Sequence, residues 1–229
     1  MLDLKGYGWM LRDGLEMTLS VGVSALGVAV VFGLLGAWGK LSSSPLARSM
    51  AGTYTTVIRG VPELLLILIV YYGTPTLIQN IAASLGYDII IDVNRFVAGI
   101  ATIGFIYGAF ATEVFRGAVL AVPKGQLEAA YAIGMSRPQV VRRILLPQVM
   151  RFALPGLGNV WMVLIKATAL ISIIQLPELV RNAQIAAGST RQPFTFFFAT
   201  ALIFLGITVV SMIVQHRLEA WSNRGIQRS

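Results

Sequence analysis

Five charged residues interrupt stretches of sequence that are otherwise apolar, namely Arg59, Glu63, Glu113, Arg116 and Lys166. Stretches of about 20 apolar residues are typical of helices that cross a lipid bilayer. A charge inside such a helix is costly unless it is paired or hydrated, so it commonly marks the route of a solute or an ion. The chemistry that these residues could perform is therefore the binding of a charged solute.

Lys166 lies about nine residues into the predicted span Leu157–Leu176, which puts it near the bilayer midplane at about 1.5 Å of rise per residue. With the hydroxyl of Thr168, its ammonium group could receive the α-carboxylate of a zwitterionic amino acid. The alternative is a structural lysine that a carboxylate or helix-end carbonyls satisfy inside the helix bundle.

Glu113 and Arg116 have the i,i+3 spacing that lets two side chains pair on one face of a helix. By the helix rise, Glu113 lies about 26 Å from the outer end of its span and thus near the inner interface. The pair could be an ion pair at that interface or an inner gate. Glu113 could also meet the positive charge of a cationic amino acid.

Arg59 and Glu63 have the i,i+4 spacing and lie on either side of Pro62. They could brace a kinked helix or line a cavity. The sequence favours neither alternative.

Motifs for nucleotide hydrolysis and metal binding are absent from the sequence. Gly39-Lys40 is followed by Leu41 and lacks the upstream glycine of a P-loop. The chain has no Cys and a single His, His216, which leaves no thiolate or His cluster for a metal. We therefore predict no catalysis, no bound cofactor and no metal site in this chain.

The composition predicts an all-α integral membrane protein, because 56% of the 229 residues are hydrophobic and only 12% are charged. Five apolar segments could cross a bilayer about 30 Å thick. They are Met17–Trp38, a segment within Thr53–Leu85, Phe96–Leu120, Leu157–Leu176 and Phe194–Gln215. The second is interrupted at Arg59–Glu63 and again at Gly73–Pro75. With no repeat or linker, residues 1–229 are predicted to form one membrane domain.

Gly104 and Gly108 form a GxxxG pattern in the third segment. The pattern indicates close contact with another helix, which could belong to a partner subunit.

The net charge of +8 comes from basic residues in short segments between the apolar runs, which does not favour nucleic-acid binding. The connections after the first, third and fifth spans carry Lys40 and Arg48, then Lys124, Arg137, Arg142, Arg143 and Arg151, and finally Arg217, Arg224 and Arg228. The opposite connections carry Asp88, Asp92 and Arg95, and then Glu178, Arg181 and Arg191. Because cytoplasmic segments are enriched in Lys and Arg, the N-terminus is predicted outside and the C-terminus in the cytoplasm.

The longest cytoplasmic connection, residues 123–151, is predicted to form a hairpin of two short helices. Gly134 can adopt the left-handed conformation that ends the first helix. Ser136 is a suitable N-cap for the second, and Pro138 is tolerated in its first turn. Pro147 is expected just after its last turn.

The hairpin resembles the EAA loop of bacterial ABC importer permeases, with the spacing E-A-A-x3-G-x9-I-x-L-P intact. The matching residues are Glu128, Ala129, Ala130, Gly134, Ile144, Leu146 and Pro147. The resemblance implies the type I importer permease fold and a coupling helix that docks on a separate ATP-binding subunit. In that setting, Ala129 and Ala130 would permit close approach, and Glu128 would meet a basic or amide partner.

Segments elsewhere in the chain are similar to the polar amino acid branch of this family, and most similar to the permeases of histidine/lysine/arginine/ornithine and opine importers. They are Arg59–Glu63, Glu113–Gly117, Gly125-Gln126 and Lys166–Leu170. The resemblance implies a multi-pass protein of the bacterial inner membrane that works by alternating access. Its implied partners are ATPase subunits that bind ATP and Mg²⁺, a similar or identical second permease, an extracytoplasmic solute-binding protein, the amino acid and membrane lipid. An autonomous secondary transporter or channel is the alternative, and it would need no ATPase.

Overall fold

The structure, a computed structural model, describes residues 4–222. Within that range the chain forms eight helices and no strand. They are α1 (Gly8–Leu41), α2 (Pro45–Gly60), α3 (Glu63–Ser84), α4 (Arg95–Leu120), α5 (Lys124–Ala132), α6 (Arg137–Ile174), α7 (Leu179–Thr190) and α8 (Pro193–Ser222). Five of them, α1, α3, α4, α6 and α8, are long and apolar enough to cross a membrane. The all-α fold with five spans is thereby confirmed.

The core is built on close parallel packing of α1 against α4. Along α1, every fourth residue from Ala25 to Ala37 is small and buried, through Ala29 and Gly33. On α4, a Cβ atom added to Gly104 would lie 2.5 Å from the Cβ of Val28 on α1. Only small residues permit such an approach. The GxxxG pattern therefore serves a contact within this chain, and the expected contact with a partner subunit is not needed to explain it.

Helix α6 packs antiparallel against α4, and two contacts fix the register. A Cβ atom on Gly156 would lie 2.7 Å from Val114 Cγ1, and one on Gly99 would lie 3.1 Å from Ile171 Cδ1. This register allows the depths of residues on the two helices to be compared.

Two helix boundaries in the first half of the chain differ from the predicted ones. Helix α1 begins at Gly8, about two turns before the predicted start. The amphipathic helix α2 was not predicted, and it ends where Val61 takes an extended conformation (φ −106°, ψ 137°) ahead of Pro62. A residue before proline is disfavoured in the α-helical region, so α3 starts afresh at Glu63.

Two prolines expected to break helices are instead accommodated by wide π-turns. The first π-turn, Ile69–Gly73, precedes Pro75 within α3, and the second, Val141–Leu145, precedes Pro147 within α6. A π-turn widens the helix where proline would otherwise clash with a carbonyl of the preceding turn. The prediction that the second hairpin helix ends before Pro147 is therefore wrong, because α6 runs from the hairpin into the fourth span.

The short helix α7 was also not predicted, and it packs against the N-terminal part of α1. Glu178 caps it by accepting hydrogen bonds from the backbone N–H groups of Val180 and Arg181. The Asn182 side chain donates to the carbonyl of Met10 (2.8 Å). A Cβ atom on Gly14 would lie 2.7 Å from the Cα of Leu179. The connection between α6 and α8 is thus fastened to the first span.

Candidate functional site

An ion-pair cluster lies near the C-terminal end of α4. Arg116 Nε donates to Glu113 Oε2 at 2.9 Å, so the pairing predicted from the i,i+3 spacing is present. Lys40, from the last turn of α1, donates to the other carboxylate oxygen, Oε1. The side chains of Lys40 and Glu113 are 18% and 22% exposed. We call Lys40, Glu113 and Arg116 the Glu113 triad.

The Glu113 triad leaves this carboxylate little capacity to bind a solute. Each carboxylate oxygen already accepts a hydrogen bond from a cation. The role predicted for Glu113, meeting the positive charge of a cationic amino acid, is therefore not supported by its contacts. The sequence shows Lys40 among the basic residues of a connection, but sequence reasoning missed its contact with Glu113. Its position at the end of a span was the only available signal.

Arg59 and Glu63 lie in different helices and, within residues 4–222, form no ion pair with each other. The Arg59 guanidinium lies over the ring of Phe110, 5.1 Å from its centroid. Glu63 Oε1 accepts a hydrogen bond from the Tyr107 hydroxyl at 3.0 Å. The rings of Tyr107 and Phe110 stack 5.5 Å apart, so Arg59 and Glu63 both contact one aromatic pair on α4. They join α2 and α3 to α4 rather than bracing one kinked helix.

Lys166 is exposed on α6 and has no hydrogen-bond or ion-pair partner within the described part of the chain. Phe152, Asn159 and Val163 are exposed as well, and their spacing puts them on the same face of the helix. Asn159 is a second polar residue on this otherwise apolar face. Its uncharged side chain gave no signal in the sequence.

Thr168 is buried, whereas Lys166 is exposed. The Thr168 side chain is fully buried, and its hydroxyl donates to the carbonyl of Ile165 at 2.7 Å. A hydroxyl that is satisfied within its own helix offers no surface to a solute. The joint binding of a carboxylate by Lys166 and Thr168 is therefore not supported.

The register of α4 and α6 gives the relative depths of the charged residues. Lys166 lies roughly level with Gly104, because Gly156 lies against Val114 and Ile171 against Gly99. At about 1.5 Å per residue, Tyr107, which holds Glu63, lies about 5 Å deeper than Lys166. Glu113 lies about 14 Å deeper on the same scale. Glu63, rather than Glu113, is the carboxylate close in depth to Lys166.

The helical hairpin has the turn that the sequence predicted. Gly134 adopts the left-handed conformation (φ +84°). The N–H of Met135 donates to the carbonyl of Ala130, which closes the end of α5. Ser136 caps α6, and its N–H donates to Gln139 Oε1 at 2.8 Å.

The residues of the EAA pattern divide between the surface and the interior of the hairpin. Glu128, Ala129, Gly134, Leu146 and Pro147 are exposed, and Ile144 is half-buried. Ala130 is only 4% exposed. Its small size therefore serves packing inside the hairpin, which differs from the docking role predicted for it.

Two further side chains add to the exposed surface of α5. Tyr131 and Ile133 are 49% and 80% exposed. Apolar side chains exposed on a short helix outside the spans indicate a contact with another protein. The EAA spacing in the sequence did not identify Tyr131 and Ile133 as exposed residues.

An apolar groove of about 790 Å³ lies between α1, α6 and α8. Leu19, Leu157, Trp161 and Val210 are among its lining residues, and neither Lys166 nor Glu63 lines it. The groove is therefore separate from the charged residues.

Comparison with known proteins supplies the family. The model of the family described as "Binding-protein-dependent transport system inner membrane component" matches residues 29–224. The octopine transport system permease protein OccQ of Rhizobium radiobacter is 45% identical over 223 residues, which cover 97% of this chain and 94% of that protein. The histidine/lysine/arginine/ornithine transport system permease protein HisQ of Escherichia coli (strain K12) is 45% identical over 226 residues, 99% of each chain.

Solved structures support the same conclusion at the level of the fold. A chain in the crystal structure of an amino acid ABC transporter with histidines matches with a TM-score of 0.80 and 30% identity, covering 93% of this chain and 94% of that one. A chain of the inward-facing MetNI methionine ABC transporter matches with a TM-score of 0.72 at 18% identity, covering 94% of this chain and 97% of that one. This chain thus belongs to the family of binding-protein-dependent transport system inner membrane components, and it is a membrane-spanning permease subunit rather than an ATPase.

Proposed function

We propose that this permease subunit imports cationic amino acids or opines. The relatives named for octopine and for histidine, lysine, arginine and ornithine transport support this substrate class. The subunit would pair with a similar or identical permease and receive its solute from an extracytoplasmic binding protein. Two ATPase subunits would bind ATP and Mg²⁺, and this chain would bind neither.

The exposed surface of α5 is the observation that carries the coupling role. Glu128, Ala129, Tyr131 and Ile133 offer a carboxylate, a small contact and two apolar side chains. Such a surface suits a groove on an ATPase subunit. Because only three residues separate α5 from α4, a displacement of the docked helix would reach the spans directly.

The ends of the helices support a cytoplasmic hairpin. Lys40 of α1 and Glu113 of α4 lie together at the same end as the Arg-rich hairpin, whereas α7 lies with the N-terminal part of α1. The excess of basic residues favours the hairpin end as cytoplasmic. The N-terminus would then lie outside and the C-terminus inside. Arg224 and Arg228, part of the same prediction, lie outside the described residues.

A second permease is needed because one chain leaves its polar membrane surfaces uncovered. Only 6% of the apolar window in α3 is buried within this chain. Glu63, at the start of α3, and Lys166 lie at depths where lipid would be an unfavourable neighbour. We infer that these surfaces face a water-filled pathway shared with the partner permease.

Lys166 and Glu63 are proposed as the residues that recognise the solute. The unpaired ammonium group of Lys166 would receive the α-carboxylate, and Asn159 could add a hydrogen bond from the same face. Glu63 Oε2 has no hydrogen-bond partner within residues 4–222 and would accept the cationic group of the solute. The similar depths of Lys166 and Glu63 support this assignment.

Uptake into reconstituted vesicles tests the proposal. With the ATPase, the binding protein and ATP present, the wild type should import arginine, and Lys166→Met should lower the rate about tenfold or more, consistent with loss of a charge-assisted contact. Val163→Met, on the same face of α6, is the matched control and should retain the wild-type rate. Uptake without the ATPase, driven by an ion gradient, would instead establish the secondary-transporter alternative. Normal arginine uptake by assembled Lys166→Met complexes would remove Lys166 from the pathway.

A further inference from the structure

The Glu113 triad joins two helices that are already in close contact. Lys40 belongs to α1, whereas Glu113 and Arg116 belong to α4, and the contact between Lys40 and Glu113 spans 73 residues of sequence. The Lys40 and Glu113 side chains are mostly shielded from solvent. Glu113 would keep Arg116 if the two helices separated, but the shielded Lys40 ammonium would lose its carboxylate, so separation here is unfavourable.

Beside the triad, α1 and α4 pack at close range. A Cβ atom on Gly36 would lie 2.2 Å from Thr112 Oγ1, and one on Gly33 would lie 2.6 Å from the Cβ of Ala111. Helices packed so closely move together, because a shift of either would create overlaps. The triad is therefore better described as a clamp than as a gate, the alternative that the sequence left open.

The clamp lies next to the coupling hairpin. Ala37 of α1 belongs to one apolar cluster with Phe115 and Val122, and Leu127 and Leu145 of the hairpin pack against that cluster. The inner end of α1 thus contacts the same apolar layer as α5 and the start of α6.

At its outer end, α1 is fastened to α7. The backbone N–H of Leu179 donates to the Thr18 hydroxyl at 3.1 Å, and Asn182 donates to Met10. One helix of 34 residues therefore connects the layer around the coupling hairpin with the connection between α6 and α8.

We propose that α1, α4 and α7 move as one body with the coupling hairpin, and that Lys40 is the positioning residue that holds the inner end of α1 in that body. The inference rests on the proposed coupling role of the hairpin. Displacement of α5 by the ATPase is passed through α4 and the Lys40–Glu113 contact to α1. From there it reaches α7 on the outer face.

A disulfide in this chain, which has no natural Cys, tests whether the clamp stays closed. The Gly36 position suits it, because a Cβ atom there would lie 3.1 Å from Thr112 Cβ, slightly closer than the about 3.8 Å typical of a disulfide. In the Gly36→Cys/Thr112→Cys variant, uptake by the oxidised complex should stay within about twofold of the same complex after reduction. Loss of uptake on oxidation, with recovery on reduction, would show that α1 and α4 separate during transport and would overturn the clamp.

The disulfide also tests the role of Lys40. Lys40→Met should lower the ATP hydrolysis that the binding protein stimulates, by about fivefold. Basal hydrolysis and complex assembly should stay unchanged. Lys40→Arg, which keeps the positive charge, should retain most of the stimulation. Adding the oxidised disulfide to Lys40→Met should restore stimulation, because a covalent link replaces the ion pair. Failure of the link to restore it would refute the positioning role.

Failure of the clamp and failure of the proposed function give different results. If the wild-type complex shows no ATP-dependent uptake, the proposed function fails. If the wild type imports normally but the disulfide does not restore stimulated ATP hydrolysis in Lys40→Met, only the clamp proposal fails.

Discussion

At the scale of single residues, the two intramembrane glutamates differ in their free acceptor capacity. Glu113 accepts hydrogen bonds from two cations, whereas Glu63 accepts one from the neutral Tyr107 hydroxyl. A carboxylate that is already neutralised by two partners gains little from a third cation. The solute contact is therefore expected at Glu63 and a structural contact at Glu113.

This difference predicts distinct effects of two matched substitutions. Glu63→Gln should reduce the preference for arginine over a neutral amino acid about tenfold, since it removes the charge but keeps the shape of the side chain. Glu113→Gln should slow uptake of every solute alike. Competition assays in vesicles measure both preferences. If Glu113→Gln altered the preference for arginine and Glu63→Gln did not, Glu113 would be the solute contact and Glu63 the structural one.

Glu178, which caps α7, is a buried carboxyl whose pKa is shifted by its surroundings. Burial raises the pKa of Glu178 to about 7, although hydrogen bonds from Val180 and Arg181 favour its charged form. The folded chain therefore holds this proton more tightly than the unfolded chain does. The resulting contribution to the free energy of unfolding is on the order of 3 kcal/mol. It is fully present below about pH 4.5 and is lost as the pH rises through about 7.

Thermal unfolding of the detergent-solubilised protein checks this prediction. The melting temperature should fall from pH 5 to pH 8 in the wild type and fall less in Glu178→Gln, which cannot ionise. Glu16→Gln, which replaces an exposed carboxyl near the same end of α1, should keep the wild-type dependence. Equal pH dependences in the wild type and Glu178→Gln would assign the effect to other groups.

At the scale of elements, the turn between α5 and α6 sets the angle between these two helices. Gly134 has a positive φ of +84°, a conformation that costs most other residues about 1–2 kcal/mol. Asparagine adopts it more readily than β-branched residues do. The hairpin geometry should therefore depend on the side chain at this position.

Gly134→Val is expected to lower stimulated ATP hydrolysis and uptake together, while Gly134→Asn should retain most of both activities. Glu128→Lys should resemble Gly134→Val, because it reverses the charge on the exposed face of α5. Membrane insertion should stay normal in all three variants, and immunoblots of membrane fractions can confirm it. Full coupling in both Gly134→Val and Glu128→Lys would remove the hairpin from the coupling role.

At the scale of the whole molecule, the helices give the chain two distinct ends. The parallel packing of α1 and α4 brings Lys40 to Glu113 at one end, and α7 packs on the N-terminal part of α1 at the other. The connection that contains Asp88 lies at the end with α7, since it precedes α4. Lys124 lies just beyond the opposite end of α4.

Cysteine labelling in intact cells tests this orientation, because the chain has no Cys of its own. An impermeant thiol reagent should react with Asp88→Cys from outside, and with Lys124→Cys only after the membrane is opened. Both positions are exposed, so the difference reports the side of the membrane. If only Lys124→Cys were labelled in intact cells, the orientation would be the opposite of the predicted one.

Much of the fold and of the hairpin could be predicted from the sequence because the signals are local. The five spans follow from runs of apolar residues, and the turn at Gly134 follows from the requirement for a positive φ. The i,i+3 pair of Glu113 and Arg116 is likewise a property of one helix. The π-turns were missed, since a proline that would break an ideal helix is tolerated when the preceding turn widens.

The sequence by itself determined that this chain is a membrane permease with a helical hairpin of EAA spacing, because spans, caps and the EAA spacing are all properties of residues close together in the sequence. Only the tertiary structure decided that Lys40 joins Glu113, that Tyr107 holds Glu63, and that Thr168 is buried while Lys166 is exposed. These contacts depend on the register between helices that are far apart in the sequence. That register is set by close packing of small residues such as Gly36, Gly104 and Gly156. A local pattern such as the GxxxG at Gly104 indicates a close contact but does not say which helix makes it.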